Sequence, residues 1–294
     1  MRLYRSAPKD RISRLFSLRT YNHQEQPTPT INAAGKPALE YLARPNGWLV
    51  GFSIVIFIVL WNLIVNWGDL PAFLLPTPLA VWKKLVTMIA NGLLFKNAWV
   101  TLYEVLLGLA LGSVLATTIG YVLAKSPLME KMFSPYLIAS QAIPTVAIAP
   151  LLVIWFGPEA FSKILVCAMT VFFPILVNTM IGFRAVPENL GDLMRSMRAT
   201  RWQKLRYLEI PAALPVLFGG LRIGATLSVI GAVVGEFVGS DQGLGYLINV
   251  GRGQYDTPLV FVSIISLIFM AICLYGLAMF AERRTTRWKT VHKD

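Results

Sequence analysis

The chain has 294 residues, of which 55% are hydrophobic and only 14% charged, with a mean hydropathy of +0.59. Soluble domains carry roughly 25% charged residues, so this composition excludes an ordinary soluble globule and points to a polytopic membrane protein. The formal net charge of +12 invites a nucleic-acid reading. The charges, however, sit between and outside apolar runs, as the positive-inside bias requires, and no nucleic-acid partner is expected.

In chain order, residues 1–47 are polar and basic: Arg2, Arg5, Lys9, Arg11, Arg14 and Arg19 face few acids. This predicts a disordered cytosolic tail, too long before the first apolar run to be an ordinary signal peptide. The first span is expected near 49–66. Pro71, Pro76 and Pro78 then break the chain, and AVWKKLVTMIANGLLF reads as an amphipathic helix lying flat on the outer interface, with Lys83 and Lys84 on its polar side.

The second span, near 98–124, carries Glu104 and is punctuated by Gly108, Gly112 and Gly120, small residues that let helices approach closely in a bilayer. The third, near 132–155, contains Pro135, Pro144 and Pro150. Ser140, Gln141 and Thr145 flank Pro144. A proline leaves a backbone carbonyl without its donor, and polar neighbours or a cavity can satisfy it. These residues are pathway-lining candidates, with plain interhelical hydrogen bonding as the alternative.

The fourth span is expected near 160–183 and the fifth near 214–238. Glu236, close to the outer end of the fifth, is a further pathway candidate, against the alternative of helix packing or interface anchoring. Glu104 and Arg222 either pair or each snorkel to an interface. A polar outer loop, GSDQGLGYLINVGRGQYDT, leads to the sixth span near 258–281, and residues 286–294 form a second cytosolic tail. Lys83, Lys84, Lys96, Lys163 and Arg252 are the few basic residues on the outer side; most of the rest lie on the inner side. The expected fold is therefore all-α, with six transmembrane helices and both termini cytosolic, over a permease domain at 48–285.

Between the fourth and fifth spans lies ENLGDLMRSMRATRWQKLRYLEIPAALP (188–215). Arg195, Arg198 and Arg201 recur every three residues, while Leu190, Leu193, Met194 and Met197 line another side. The spacing predicts a cytosolic amphipathic helix of roughly three or four turns over 188–206. A loop should follow, ending at Pro211 and Pro215, where helices usually break. One reading is a basic loop that only fixes orientation; the other is a docking helix for a soluble partner.

Catalytic motifs are absent from the sequence. There is no Gly-x-x-x-x-Gly-Lys-Ser/Thr and no His-Glu-x-x-His. Gly243-x-Gly245 continues with Ile248 where a third glycine would stand. Cys167 and Cys273 lie in apolar runs as packed thiols, and His23 and His292 have no ligand-like neighbours. No cofactor and no metal are expected, and ATP hydrolysis would fall to a separate subunit.

The 188–215 segment resembles the coupling loop of ATP-binding-cassette importer permeases: Glu-Ala-Ala, three residues, Gly, nine residues, Ile, one residue, Leu-Pro. With Pro211 as anchor, Asp192 takes the Glu position, Leu193 and Met194 the two Ala positions, Leu208 the Ile position and Ile210 the Leu position. Arg198 stands where the family has Gly, so either Arg makes the turn or the two helices run nearly continuously. The resemblance marks Glu188, Asp192, Leu193, Met194, Met197, Arg198, Ala199 and Trp202 as the ATPase-coupling set.

The runs SQAIPTVAIAPLLVIWFG (140–157), FFPILVNT (172–179), GAVVGEFVGSDQGLGYLI (231–248) and DTPLVF (256–261) are similar to permeases of the nitrate, sulfonate, taurine and bicarbonate importer family. LMRS at 193–196, FFPILVNT and GEFVGSDQGLGYL look most like the branch that imports thiamine pyrimidine precursors, riboflavin and related heterocycles. The resemblance implies a permease homodimer in the cell membrane, the inner membrane if bacterial. It also implies two ATP-binding-cassette ATPase subunits, an external solute-binding protein and a small-molecule solute. Nitrate, sulfonate, taurine or bicarbonate are alternative solutes. An ion-gradient-driven secondary transporter is an alternative mechanism; it should show internal repeats and paired mid-membrane charges, and no clear repeat is visible.

Overall fold

A computed structural model describes residues 47–68, 71–141 and 144–286; the two expected tails lie outside them except for residues 47 and 286. The chain divides into a unit ending at Phe57 and a second starting at Ile58. The described part of the first unit is the opening of α1 (Gly47–Trp67), an apolar helix with no basic or acidic residue. The second unit holds the rest of α1 and all other elements.

α2 (Pro78–Ala90) is the expected amphipathic helix. Thr77 caps it, accepting from the Ala80 amide at 3.2 Å, with Pro78 in the first turn, where its missing N–H costs nothing. Its buried face is Val81 and Met88, while Lys84 pairs with Asp256. Asp256 also caps α11 (Thr257–Thr285) by accepting from the Leu259 amide at 3.2 Å.

The centre of the second unit is α6 (Ala160–Arg184), held between α3 (Leu93–Lys125) and α9 (Ile210–Gly239). Small residues set the spacing. A Cβ on Gly108 would lie 2.2 Å from Cys167 Cβ, and one on Gly112 would lie 2.4 Å from Val171 Cγ2. Lipid tails are as apolar as leucine, so such helices associate through close packing rather than through escape from water.

Two expected elements take a different form. The third span is two helices, α4 (Pro127–Gln141) and α5 (Thr145–Phe156). Pro144 stands between them in an extended conformation, which removes a donor and ends the ladder there. The fifth span begins much earlier than expected. Helix runs from Arg201 to Gly239: α8 (Arg201–Lys204), a π-helical turn (Leu205–Glu209), then α9. The Ile210 amide bonds to the Leu205 carbonyl, five residues back. Pro211 thus enters at the first turn after this wide turn and does not end the helix, and Pro215 is also inside α9. No loop ends at either proline.

The expected polar outer loop contains a helix as well. α10 (Leu244–Gly253) buries Leu244, Leu247 and Ile248, a helical spacing that the many polar residues around it hide. Among the described residues, four helices are long and apolar enough to cross a membrane: α3, α6, Arg201–Gly239 and α11. Gly51–Trp67 and Thr145–Phe156 are shorter apolar stretches.

Candidate functional site

The polar segment between α6 and α9 folds as a turn between two helices, not as one helix over 188–206. α7 (Glu188–Ser196) ends in a Schellman motif. The Ala199 amide donates to the Met194 carbonyl and the Arg198 amide to the Arg195 carbonyl, each at 3.0 Å. Arg198 sits between them at φ 53°, in the left-handed region. This resolves the alternative left by arginine at the glycine position: arginine makes the turn. An L-residue pays about 1–2 kcal/mol there.

The next helix is capped at once. Thr200 Oγ1 accepts from the Gln203 amide at 3.2 Å, and Gln203 Oε1 accepts from the Thr200 amide at 2.8 Å. This reciprocal capping box fixes where α8 begins. Thr-x-x-Gln at 200–203 was visible in the sequence and marks the boundary between the two helices.

The turn presents apolar side chains outward. Leu193 is 56% exposed, Met197 70% and Trp202 65%. Met194 and Ala199 are half-buried, and Glu188 and Asp192 are exposed. Asp192 lies 3.3 Å from Arg195 on the same helix. Beside the turn, Leu190, Tyr207, Leu208 and Pro211 line a cleft of about 690 Å³. Beneath it, Gly191 is buried, with Lys204 Nζ 3.4 Å from where a Cβ would stand.

The pathway candidates do not come together. Ser140 is half-buried and its hydroxyl donates to the Leu137 carbonyl at 2.8 Å, within its own helix. The Gln141 side chain lies outside what the structure describes. Thr145, half-buried, opens α5 just after Pro144. Glu236 is fully engaged elsewhere. Its carboxylate accepts from Thr101 Oγ1 at 2.6 Å, from the Gly245 amide at 2.5 Å and from the Tyr246 amide at 3.2 Å. Thr101 Oγ1 also accepts from the Leu244 amide, and Asn97 Oδ1 from the Gly243 amide, both at 2.8 Å.

The N-terminus of α10 is therefore capped by side chains of α3 and α9. A helix start leaves its first amides without partners, and an acidic group there meets both their hydrogen bonds and the helix dipole. The two glycines make room for it. Gly243 has φ 113°, and a Cβ on it would lie 2.3 Å from Glu236 Cδ; one on Gly245 would lie 2.8 Å from Glu236 Oε2. Sequence reasoning missed Asn97 and Thr101. Their signal was a polar pair four residues apart at the head of an apolar span, the spacing of one helix face.

The charges inside the spans also pair differently from expectation. Lys163 Nζ lies 3.8 Å from Glu104 Oε1, and Arg222 Nε lies 3.3 Å from Glu282 Oε2. Glu104 and Arg222 are not partners.

A turn with an apolar outward face, carried at the foot of a packed α3–α6–α9 core, lies within the segment that aligns with known proteins. Residues 108–287 match the family described as binding-protein-dependent transport system inner membrane component. The chain belongs to this family.

Relatives of this inner membrane component cover most of its length. It is 44% identical to the riboflavin transport system permease protein RibX of Chloroflexus aurantiacus over 81% of this chain and 88% of that protein. It is 34% identical to the formylaminopyrimidine transport permease protein ThiX of Halalkalibacterium halodurans, over 80% and 93%. It is 31% identical to the aliphatic sulfonates transport permease protein SsuC of Bacillus subtilis, over 84% and 90%. In fold it is similar to a chain of the MetNI methionine ABC transporter in an inward-facing conformation, with a TM-score of 0.58 at 21% identity over 66% of this chain and 96% of that one. An inner membrane component of this family is a transport subunit and not itself an enzyme.

Proposed function

We propose that this permease subunit forms the solute pathway of an ATP-binding-cassette importer and works by alternating access. It crosses the membrane six times with both termini cytosolic: α1, α3, α4 with α5, α6, α9 and α11. Two copies enclose the pathway in the bacterial inner membrane. Two ATPase subunits dock on the α7–α8 turn, and an external solute-binding protein docks on the opposite face, near Asp241.

The observation that carries this reading is the exposed apolar set Leu193, Met197 and Trp202 on a polar segment. Such side chains are a liability in water unless a partner covers them. ATP closes the ATPase dimer, the docked turn moves with it, and the population shifts from inward-open to outward-open, with ATP supplying the free-energy difference. A binding-protein-dependent family supports this over a carrier driven by an ion gradient.

For the solute, a small heterocycle such as a pyrimidine precursor of thiamine or riboflavin is the best-supported class. Similarity to RibX and ThiX favours it. Similarity to SsuC favours the second reading, a sulfonate. The test is to purify the permease with its ATPase from cells expressing both, and to titrate the partner binding protein with riboflavin, formylaminopyrimidine and an alkanesulfonate. The ATPase is expected to co-purify, and one of the two heterocycles to bind. Sulfonate binding alone would replace the heterocycle reading, and failure of any ATPase to co-purify would remove the importer reading.

A further inference from the structure

The cytosolic foot of the molecule is organised around one buried carboxylate that the docking surface does not use. Glu209 closes the π-helical turn and is only 3% exposed. Its Oε1 accepts from Lys125 Nζ, at the last turn of α3. The same oxygen lies 3.9 Å from Lys204 Nζ, at the end of α8. Lys204 in turn runs under α7 against Gly191. A path of contacts therefore leads from the docking helix α7, through Lys204 and Glu209, to Lys125 on α3. Between these groups is a polar cavity of about 400 Å³, also lined by Glu188, Asp192 and Arg195.

We infer that Glu209 is a positioning residue for energy coupling: it holds the α7–α8 turn at a set angle to α3. This rests on the reading of that turn as the ATPase-docking element. A carboxylate between two ammonium groups is the member of the set that cannot be removed alone, because its loss leaves two like charges facing each other at a partly buried site. The joint also sits where the helix is widest. A π turn has a poorer hydrogen-bond ladder than an α-helix and marks a point of bending. Without the ionic clamp, a push on α7 would bend this turn. With it, the push reaches α3, and through α3 the packed α6 and α9.

The test uses the full permease in complex with its ATPase, in nanodiscs and in proteoliposomes, on a Cys273→Ala background. Spin labels at Asn189 on α7 and Leu128 on α4, both exposed, report the distance between the docking helix and the end of α3. Glu209→Gln keeps size and removes charge. It is expected to insert, retain the ATPase, broaden the label distance distribution and lower binding-protein-stimulated ATP hydrolysis by about tenfold, within the range of coupling changes along such networks. Glu209→Asp should recover most of both signals. The swap Lys125→Glu and Lys204→Glu with Glu209→Lys keeps one charge between two of opposite sign and should recover both signals better than any single change. Glu130→Gln, which breaks the separate Arg184 pair, should leave the label distance unchanged.

The inference is overturned if Glu209→Gln matches the parent in both distance and stimulated hydrolysis, or if the swap is no better than its single variants. If Glu209→Gln does not insert, the aspartate variant and the swap decide. Failure of the docking reading looks different: the parent permease would not retain an ATPase, and the label distances would still report whether Glu209 holds α7.

Discussion

The two ends of this molecule treat their exposed backbone and side chains in opposite ways. At one end, α10 is held by its own chain. Glu236, Thr101 and Asn97 satisfy the amides from Gly243 to Tyr246, and Leu244, Leu247 and Ile248 are buried. At the other end, the α7–α8 turn satisfies its backbone locally and leaves its largest apolar side chains outside. Both ends contain helix caps, so capping alone does not mark function. The difference lies in where the apolar faces go. A helix whose polar and apolar needs are both met within the chain is a structural part. A helix whose backbone is closed but whose apolar side is open is what the proposed docking of a partner rests on.

This contrast is broken most severely at Gly243. Gly243→Val combines a φ that side chains avoid with a Cβ 2.3 Å from the Glu236 carboxyl. The expected cost is several kcal/mol, about 3 or more, from strain and a displaced carboxylate. Fluorescence-detected size exclusion should show little folded protein. Normal yield and melting temperature would mean that the Glu236 clamp is not structural.

The next largest effect belongs at the other end. Burial of a methionine side chain is worth roughly 1.5–3 kcal/mol, and a charge driven into an apolar groove reverses that. Met197→Asp should therefore leave folding intact, since the side chain is 70% exposed, while the amount of ATPase co-purified falls at least tenfold. A destabilised permease that still holds its ATPase would reverse the contrast.

The smallest effect sharpens it. Arg198→Gly relieves the left-handed conformation and should raise stability by about 1 kcal/mol, read as a higher melting temperature. ATPase retention should not change. Lost retention here would show that the arginine side chain, not only the turn it makes, contacts the partner.

Much of this was legible in the chain. Apolar runs marked the helices that cross the core, and Gly108 and Gly112 marked the face of α3 against α6. The apolar and basic sides of 188–206 marked a segment unlike an ordinary loop. What was not legible involved contacts across long sequence distances or a departure from the α-helical repeat. Glu236 looked like a pathway group because intramembrane acids often are. Its partner Thr101, and Asn97, which shares the capping of α10, lie more than a hundred residues earlier in the sequence. Pro211 looked like a helix stop because the rule assumes α geometry up to the proline. The π turn at 205–209, just before the proline, changes that geometry, and no local residue preference announces it. Arg198 left two outcomes open, and the backbone φ decided between them.

The wide turn at 205–209 also changes how the faces of this helix can be compared. Each residue of an α-helix advances about 100° around the axis and 1.5 Å along it. A π turn holds an extra residue in nearly the same length, so the angular phase of α8 is offset from that of α9. Trp202 cannot be placed by counting turns down from the membrane. Removing one residue between Leu205 and Glu209 would restore the common phase and swing Trp202, and with it the turn that ends at Thr200, around the axis by about that angle. The membrane helix would keep its register with α6, and the exposed apolar face of the turn would point elsewhere.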